Sequence, residues 1–346
     1  MPRYGFNVQW MFSFGGNPPA PPDEKALDFM AAQGFDFVRL PTDYRFWTQG
    51  VDYLHPDERV LEALDGYLDA CQRRGIHLSL NLHRAPGYCI NGNHQETHNL
   101  WLDSVAKDAF AFLWETFARR YRGVPSAALS FDLLNEPPEI GQYGLTRENH
   151  EALMRRVVRA VRAVDPGREI VIDGLGGGHL ALPELADLGV IHSARGYQPM
   201  AVSHYRASWW EGHQGLPPPV YPGLSWNGRT WDREAMRDFY QPWLAVRDRG
   251  VSVHVGECGC YNQTPQPVAL RWLRDLLGLY RELGWGFAFW NFQGSFGIID
   301  HGREGARIES MDGYRVDREL LELILESRLP AERPAEVPGH CESSNR

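Results

Sequence analysis

The chain has 346 residues, of which 43% are apolar and 23% charged, so it can fill a large core and is not a disordered polymer. Its formal charge of −9, with no run of lysines or arginines, excludes a nucleic-acid or anionic-membrane footprint, and no apolar run approaches the roughly 18 residues of a membrane span. The excess is aromatic: 12 Trp, 14 Tyr and 16 Phe suit a large core and also a surface that stacks against flat ligands, sugars among them.

Eight short apolar runs read as strands. They cover residues 4–8, 36–40, 76–83, 128–135, 169–173, 193–197, 251–257 and 286–291. Between them apolar residues recur at three- and four-residue spacing, as in the stripe Leu61, Leu64, Leu68, Cys71 and the stripe Phe110, Leu113, Phe117. Gly34, Gly75, Gly123, Gly250 and Gly284 stand where such helices should stop, a few residues before a strand. This alternation predicts a parallel α/β architecture, because each parallel pair needs a crossover. No strand opens into G-x-G-x-x-G, so a closed (β/α)8 TIM barrel is expected rather than a doubly wound sheet. One catalytic domain should span residues 1–328. A long Trp- and Pro-rich loop after strand six, residues 206–231, should wall the barrel mouth, and residues 329–346, rich in Pro, Glu and Ser, should form a flexible tail.

In such a barrel the chemistry lies on the loops beyond the carboxyl ends of the strands. There the sequence places Arg39 near the end of strand two, His83 at strand three, Asn135-Glu136-Pro137 at strand four, Glu257 at strand seven and Trp290 at strand eight. Two glutamates facing each other across a barrel mouth can cut a glycosidic bond, one protonating the leaving oxygen and the other attacking the anomeric carbon. They need different protonation states, which their surroundings must impose. The five cysteines form no disulfide framework. Cys258-x-Cys260 lacks a second Cys/His pair at zinc spacing, and His94 and His98 fall on a loop, so neither a metal nor a cofactor is expected. The first residues carry no apolar leader core, which predicts a cytoplasmic chain, or a secreted one whose leader has been removed.

Leu134-Asn135-Glu136-Pro137, together with His254-Val255-Gly256-Glu257-Cys258-Gly259, resembles the pattern of glycoside hydrolase family 5, the cellulase-like retaining family of clan A. The resemblance runs from Gly5-Phe6-Asn7 to Phe289-Trp290-Asn291. It implies that Glu136 is the acid/base and Glu257 the nucleophile of a double displacement with retention. It further implies that Asn135 holds the hydroxyl next to the anomeric carbon and that Arg39 bonds Glu257 and favours its ionised form. His83 would line the subsite of the cleaved sugar, and Trp290 would be that sugar's stacking floor. The family usually shows His-x-Tyr after strand six, the Tyr bonding the nucleophile and the His approaching the acid/base. Here His204 and Tyr205 are adjacent, and neighbours on an extended strand face opposite sides. Both are kept as site residues, with Tyr197 as the alternative source of the hydroxyl. Trp47, Tyr88, Trp209, Trp210, Trp226 and Trp231 are candidate sugar-stacking aromatics.

The expected partner is a β-linked oligosaccharide or glycoside, with neither nucleic acid nor membrane involved. No separate carbohydrate-binding module accompanies the barrel, and the 206–231 loop is placed to close a cleft into a pocket. Those features point to an exo-acting β-mannosidase or β-glucosidase on short chains. The alternatives are an endo-acting β-1,4-glucanase or mannanase, a transglycosylase using the same residues, and a glycan-binding barrel without catalysis. A lectin, however, has no use for an acid and a nucleophile.

Overall fold

The computed structural model describes residues 2–330 and contains eight parallel strands. These are β1 (Tyr4–Asn7), β2 (Phe37–Asp43), β3 (His77–Ala85), β4 (Leu129–Asp132), β5 (Glu169–Asp173), β6 (Ile191–Gly196), β7 (Val253–Cys258) and β8 (Gly286–Phe289). Each pairs with the next and β8 pairs with β1, so the sheet closes on itself. The closed (β/α)8 TIM barrel expected from the sequence is the fold of this chain.

The helices longer than one turn are α1 (Glu24–Ala32), α2 (Glu58–Gln72), α3 (Ser104–Arg120), α4 (Arg147–Val164), α5 (Arg233–Phe239), α6 (Gln241–Arg247), α7 (Gln266–Leu283) and α8 (Arg318–Glu326). Asp23, Asp57, Asp232 and Asp317 accept first-turn N–H groups at α1, α2, α5 and α8, and Thr146 with Asn149 forms a capping box at α4. The expected stripes are the buried faces: Leu61, Leu64, Leu68 and Cys71 on α2, and Phe110, Leu113 and Phe117 on α3. Burying each such large apolar side chain contributes about 1.5–3 kcal/mol. The connection between β5 and β6 departs from the expected pattern. It carries no full helix, only the short turn Leu175–Gly178 and a 3-10 segment, Pro183–Leu188, which ends at Gly189 in the left-handed conformation.

Side-chain alternation along the strands sorts the barrel into two shells. Val38 and Leu40 on β2, Leu78, Leu80 and Leu82 on β3, and Ile170 and Ile172 on β5 belong to the buried apolar core. The alternate row is polar: Arg39, then Ser79, Asn81 and His83, then Ser130 and Asp132, then Asp173, then Ser193 and Arg195. At the amino end this polar interior holds a cavity of about 470 Å³, lined by Arg3, Glu169, Ser79, Ser130 and His254 and reaching up to Asp132. At the carboxyl end the loop after β6 contains a small antiparallel hairpin, Leu224–Trp226 with Arg229–Trp231. No described helix is long and apolar enough to cross a membrane. The expected tail lies, beyond residue 330, outside the described residues.

Candidate active site

Two fully buried arginines organise the barrel's carboxyl end. Arg39, on the inward row of β2, donates from Nη1 to Glu257 Oε1 at 2.6 Å and to Asn7 Oδ1 at 3.0 Å. It also donates from Nε to Asp132 Oδ2 at 2.5 Å and from Nη2 to Asn135 Oδ1 at 2.9 Å. Arg195, on the inward row of β6, donates from Nε to Glu136 Oε1 at 2.8 Å and from Nη2 to Glu257 Oε1 at 3.3 Å. Its remaining donors go to Asp173, to Ser193 Oγ at 3.1 Å and to Asn135 Oδ1 at 3.0 Å. Buried charges persist only when paired and hydrogen-bonded, and here two guanidinium forks are matched by four carboxylates.

The backbone shapes both glutamates. Glu136 sits just past β4 with φ +46°, a left-handed conformation uncommon for a residue with a side chain. That turn is held by its own N–H, which donates to Asp173 Oδ2 at 3.0 Å, and by Tyr88 Oη, which donates to the Glu136 carbonyl at 2.6 Å. Glu257 follows a register shift in β7, seen against both β6 and β8 between Val255 and the residues after Gly256. The bulge turns Glu257 into the barrel. It also brings Gly256 so close to β6 that a Cβ there would lie 2.5 Å from Ser193 Oγ. Gly178, at φ +84°, makes room for Arg195 in the same way, since a Cβ would meet Arg195 Cγ at 2.4 Å.

Burial raises the Glu136 carboxyl to about 7; the neighbouring Glu257 pushes the same way and Arg195 opposes it. Burial likewise raises Asp132 to about 6 against the pull of Arg39. Burial also works against ionisation of Asp173, yet Arg195 and Arg39 hold it below the usual carboxylate range. His83 is pushed far below its ordinary value, first by burial and then by the nearby arginines, so its ring is neutral. Both His83 ring nitrogens and Asn135 Nδ2 are buried without a protein partner. Such groups are costly unless something supplies the missing bond. Trp290 stacks on the His83 ring at 5.7 Å, with Phe12 edge-on to both rings.

Arg39, His83, Asn135, Glu136, Glu257 and Trp290 therefore converge at one end of the barrel. The His-x-Tyr expectation is corrected. Tyr197, not Tyr205, donates to Glu257 Oε2, at 3.0 Å. The side chain that reaches Glu136 is Arg195, not His204. Ser193, Arg195 and Tyr197 are two apart and share the inward face, whereas His204 comes after the short helical turn Met200–Ser203. His204 packs edge-on against Tyr197 at 4.9 Å and pairs through Nδ1 with Ser203 Oγ at 2.8 Å. Tyr205 is buried, with the Arg206 guanidinium over its ring.

Three of the aromatic candidates are also corrected. Trp47 is core, 1% exposed and edge-on to Phe117. Tyr88 is buried against Trp101 and serves the Glu136 turn. Trp231 is buried against Trp226 and Phe239. Trp209 is half exposed and Trp210 and Trp226 partly so; Trp209 and Trp210 sit on the His204 side of the loop. The candidate list missed Arg195, Asp132 and Asp173. The available signal was the period of two along residues 193–197, which puts a charge on the face already carrying Ser193.

Comparison with known proteins bears on this arrangement. Residues 2–295 match the cellulase family, glycosyl hydrolase family 5. The chain is 27% identical over 297 residues to Endoglucanase C of Acetivibrio thermocellus, covering 78% of this chain and 83% of the other. It is 24% identical over 275 residues to Cellodextrinase A of Ruminococcus flavefaciens, covering 75% of each. Among solved structures, one described as a glycoside hydrolase superposes with a TM-score of 0.94 at 59% identity, covering 95% of this chain and all of the other. Endoglucanase Cel5A of Thermotoga maritima shares the fold, with a TM-score of 0.74 at 21% identity over 93% of this chain and 96% of the other.

Proposed function

The chain belongs to glycosyl hydrolase family 5, a retaining clan A family, and is a glycoside hydrolase acting on O-glycosyl bonds; from that premise we propose that Glu136 is its acid/base and Glu257 its nucleophile. The observation that carries this reading is that the two glutamates are held by one guanidinium yet sit in unlike surroundings. Glu257 takes hydrogen bonds on both oxygens, from Arg39 and Arg195 on Oε1 and from Tyr197 on Oε2. Contacts of this kind fix the carboxyl group and its orientation on both sides. Glu136 is the carboxyl that burial and Glu257 keep protonated. Different environments assign different roles.

In the first step a Glu257 oxygen forms a bond to the anomeric carbon. The glycosidic C–O bond breaks with its electron pair on the leaving oxygen, which takes the Glu136 proton. In the second step water forms a bond to the same carbon and gives a proton to Glu136, and the ester bond to Glu257 breaks with its electrons returning to the carboxylate. The orphaned Nδ2 of Asn135 and ring nitrogens of His83 supply hydrogen bonds to sugar hydroxyls, and Trp290 supplies a face for the ring.

The substrate we favour is a short β-linked gluco- or manno-oligosaccharide cut from its end, because the loop bearing Trp209, Trp210 and the 224–231 hairpin stands on one side of the mouth. An endo-acting glucanase is the second reading, favoured by the similarity to Endoglucanase C. The deciding experiment is a product profile on reducing-end-labelled β-1,4-gluco- and manno-oligosaccharides. Single sugars released from one series establish exo action and name the sugar. Mixed internal products establish endo action, and no cleavage of either series by wild type sinks both substrate readings.

A further inference from the structure

We propose that Arg195 is a positioning residue for this reaction: its guanidinium is the fixed charge that makes Glu136 a base once Glu257 has been esterified. The proposal rests on the assignment of Glu136 and Glu257 above. Its basis is geometric. Arg195 is the cation in hydrogen-bond contact with Glu136 among the described residues, at 2.8 Å, and the same guanidinium reaches Glu257 at 3.3 Å. It cannot move away. Asp173 and Ser193 hold its Nη groups, Tyr240 Oη donates to its backbone carbonyl at 2.9 Å, and Gly178 packs against its side-chain stem. An arginine also stays charged throughout the working pH range.

The groups facing Glu136 come from every wall of the site. They are Tyr88 in the loop after β3, Asp173 on β5, Arg195 on β6 with Tyr197 just beyond it, and Glu257 on β7, with Arg39 on β2 beyond Asn135. In the free enzyme burial first, and then the neighbouring Glu257, works against ionisation of Glu136, while Glu257 also engages part of the Arg195 charge, so Glu136 keeps its proton. When Glu257 attacks, the glycosidic bond breaks, the leaving oxygen takes the Glu136 proton, and the Glu257 charge becomes a neutral ester. The repulsion vanishes at that moment while the Arg195 cation stays. Its attraction then falls on the newly formed Glu136 carboxylate, which must remain ionised to take a proton from the incoming water. A neutral residue at position 195 would leave a buried carboxylate beside Asp173 with no cation bonded to it, since the Arg39 donors go to Asp132, Glu257, Asn7 and Asn135, and Glu136 would recapture a proton before water arrives.

The test is a titration of 13C-glutamate-labelled wild-type enzyme, with the Glu136 resonance assigned by difference against Glu136→Gln. It is run free and after trapping with 2-deoxy-2-fluoro-β-cellobiosyl fluoride, or with the manno analogue if the product profile shows mannosides. The expected result is that Glu136 drops on trapping to the ordinary glutamate value of about 4.3 or below. A Glu136 that stays above that value in the trapped enzyme overturns the proposal, because burial alone would keep it there. Variants give the second arm. Arg195→Gln should raise the alkaline limb of kcat/KM by about one pH unit or more. At pH 5 it should slow turnover of an activated aryl glycoside, for which loss of the ester is the slow step, by about 2.5-fold for the first unit that Glu136 rises above 4.3 and by nearly tenfold for each further unit. Arg195→Lys, which keeps the charge, should restore the wild-type limb. A limb that moves equally in both variants marks a merely structural role. Azide tests the underlying assignment separately. If azide fails to accelerate Glu136→Ala on an activated aryl glycoside, the role of Glu136 falls and the proposal with it. If azide rescues but the trapped Glu136 stays high, only the role of Arg195 falls.

Discussion

Tyr197 Oη donates a hydrogen bond of 3.0 Å to Oε2 of Glu257, from the residue just beyond β6 to the bulged end of β7. The tyrosine is buried with its ring edge-on to His204 and Phe296, so the hydroxyl is held by packing. Hydrogen bonds to charged groups are worth about 1.5–3 kcal/mol. Tyr197→Phe should therefore lower kcat/KM by roughly ten- to a hundredfold while the chain folds normally. Tyr205→Phe should stay within about twofold of wild type, since the hydroxyl it removes is not the one that bonds Glu257. Steady-state kinetics on one aryl glycoside compares the two, and a Tyr205 variant as impaired as the Tyr197 variant would reverse the assignment.

The two glutamates should differ in how their loss depends on the leaving group. Glu257→Ala removes the attacking oxygen and should abolish turnover of every substrate. Glu136→Ala removes a proton donor, an effect of about 10²–10⁴-fold for general acid catalysis, but a leaving group that departs as a stable anion needs little of that help in the first step. Parallel assays on an oligosaccharide and on a dinitrophenyl glycoside separate the cases. Equal losses on both substrates in Glu136→Ala would move the acid role elsewhere.

The barrel was legible because each of its eight strands carries an apolar row, and because Gly34, Gly75, Gly123, Gly250 and Gly284 punctuate the turns into them. His83, Asn135, Glu136, Glu257 and Trp290 were legible as polar or aromatic groups where strands run out. Arg195 and Asp173 were not, because a charge within a strand is recognised as interior only when its neighbours at two-residue spacing are known to face inward. Read from Ser193, that spacing also gives Tyr197, so the error over His204 and Tyr205 came from matching a residue pair before counting the face. The aromatics mark the other limit. Trp47, Tyr88 and Trp231 are as rich in stacking surface as Trp209, and only tertiary packing shows that their faces are already covered.

Glu136 must carry its proton when the first bond breaks. Burial, with Glu257 adding to it, sets that proton's loss at about 7. The sign follows directly: below that pH the acid is present and kcat/KM is flat on this account, and above it kcat/KM falls about tenfold per unit. A profile of kcat/KM against pH on an unactivated oligosaccharide should show its alkaline limb near 7. A limb at 5 or lower would mean that Glu136 is ionised in the free enzyme and cannot be the acid. Because a good leaving group needs less protonation, the same limb should be shallower on a dinitrophenyl glycoside.

Gly178 connects the fold to this chemistry without touching either glutamate. It lies at φ +84° in the Leu175–Gly178 turn after β5, and a Cβ there would sit 2.4 Å from Arg195 Cγ. Arg195 is fully buried and tied to Asp173, so it cannot swing aside without leaving that carboxylate unpaired. Gly178→Ala should cost about 1–3 kcal/mol through overpacking, with the left-handed backbone adding to the strain. Urea unfolding should show a lower midpoint with an unchanged slope. The folded fraction should also lose activity, because the guanidinium displaced from Gly178 is the one that binds Glu136 at 2.8 Å. A variant with a lower midpoint but wild-type kcat/KM per folded molecule would show that the Arg195 stem can shift while its Nε stays on Glu136, and would separate the packing of this turn from the catalytic charge it supports.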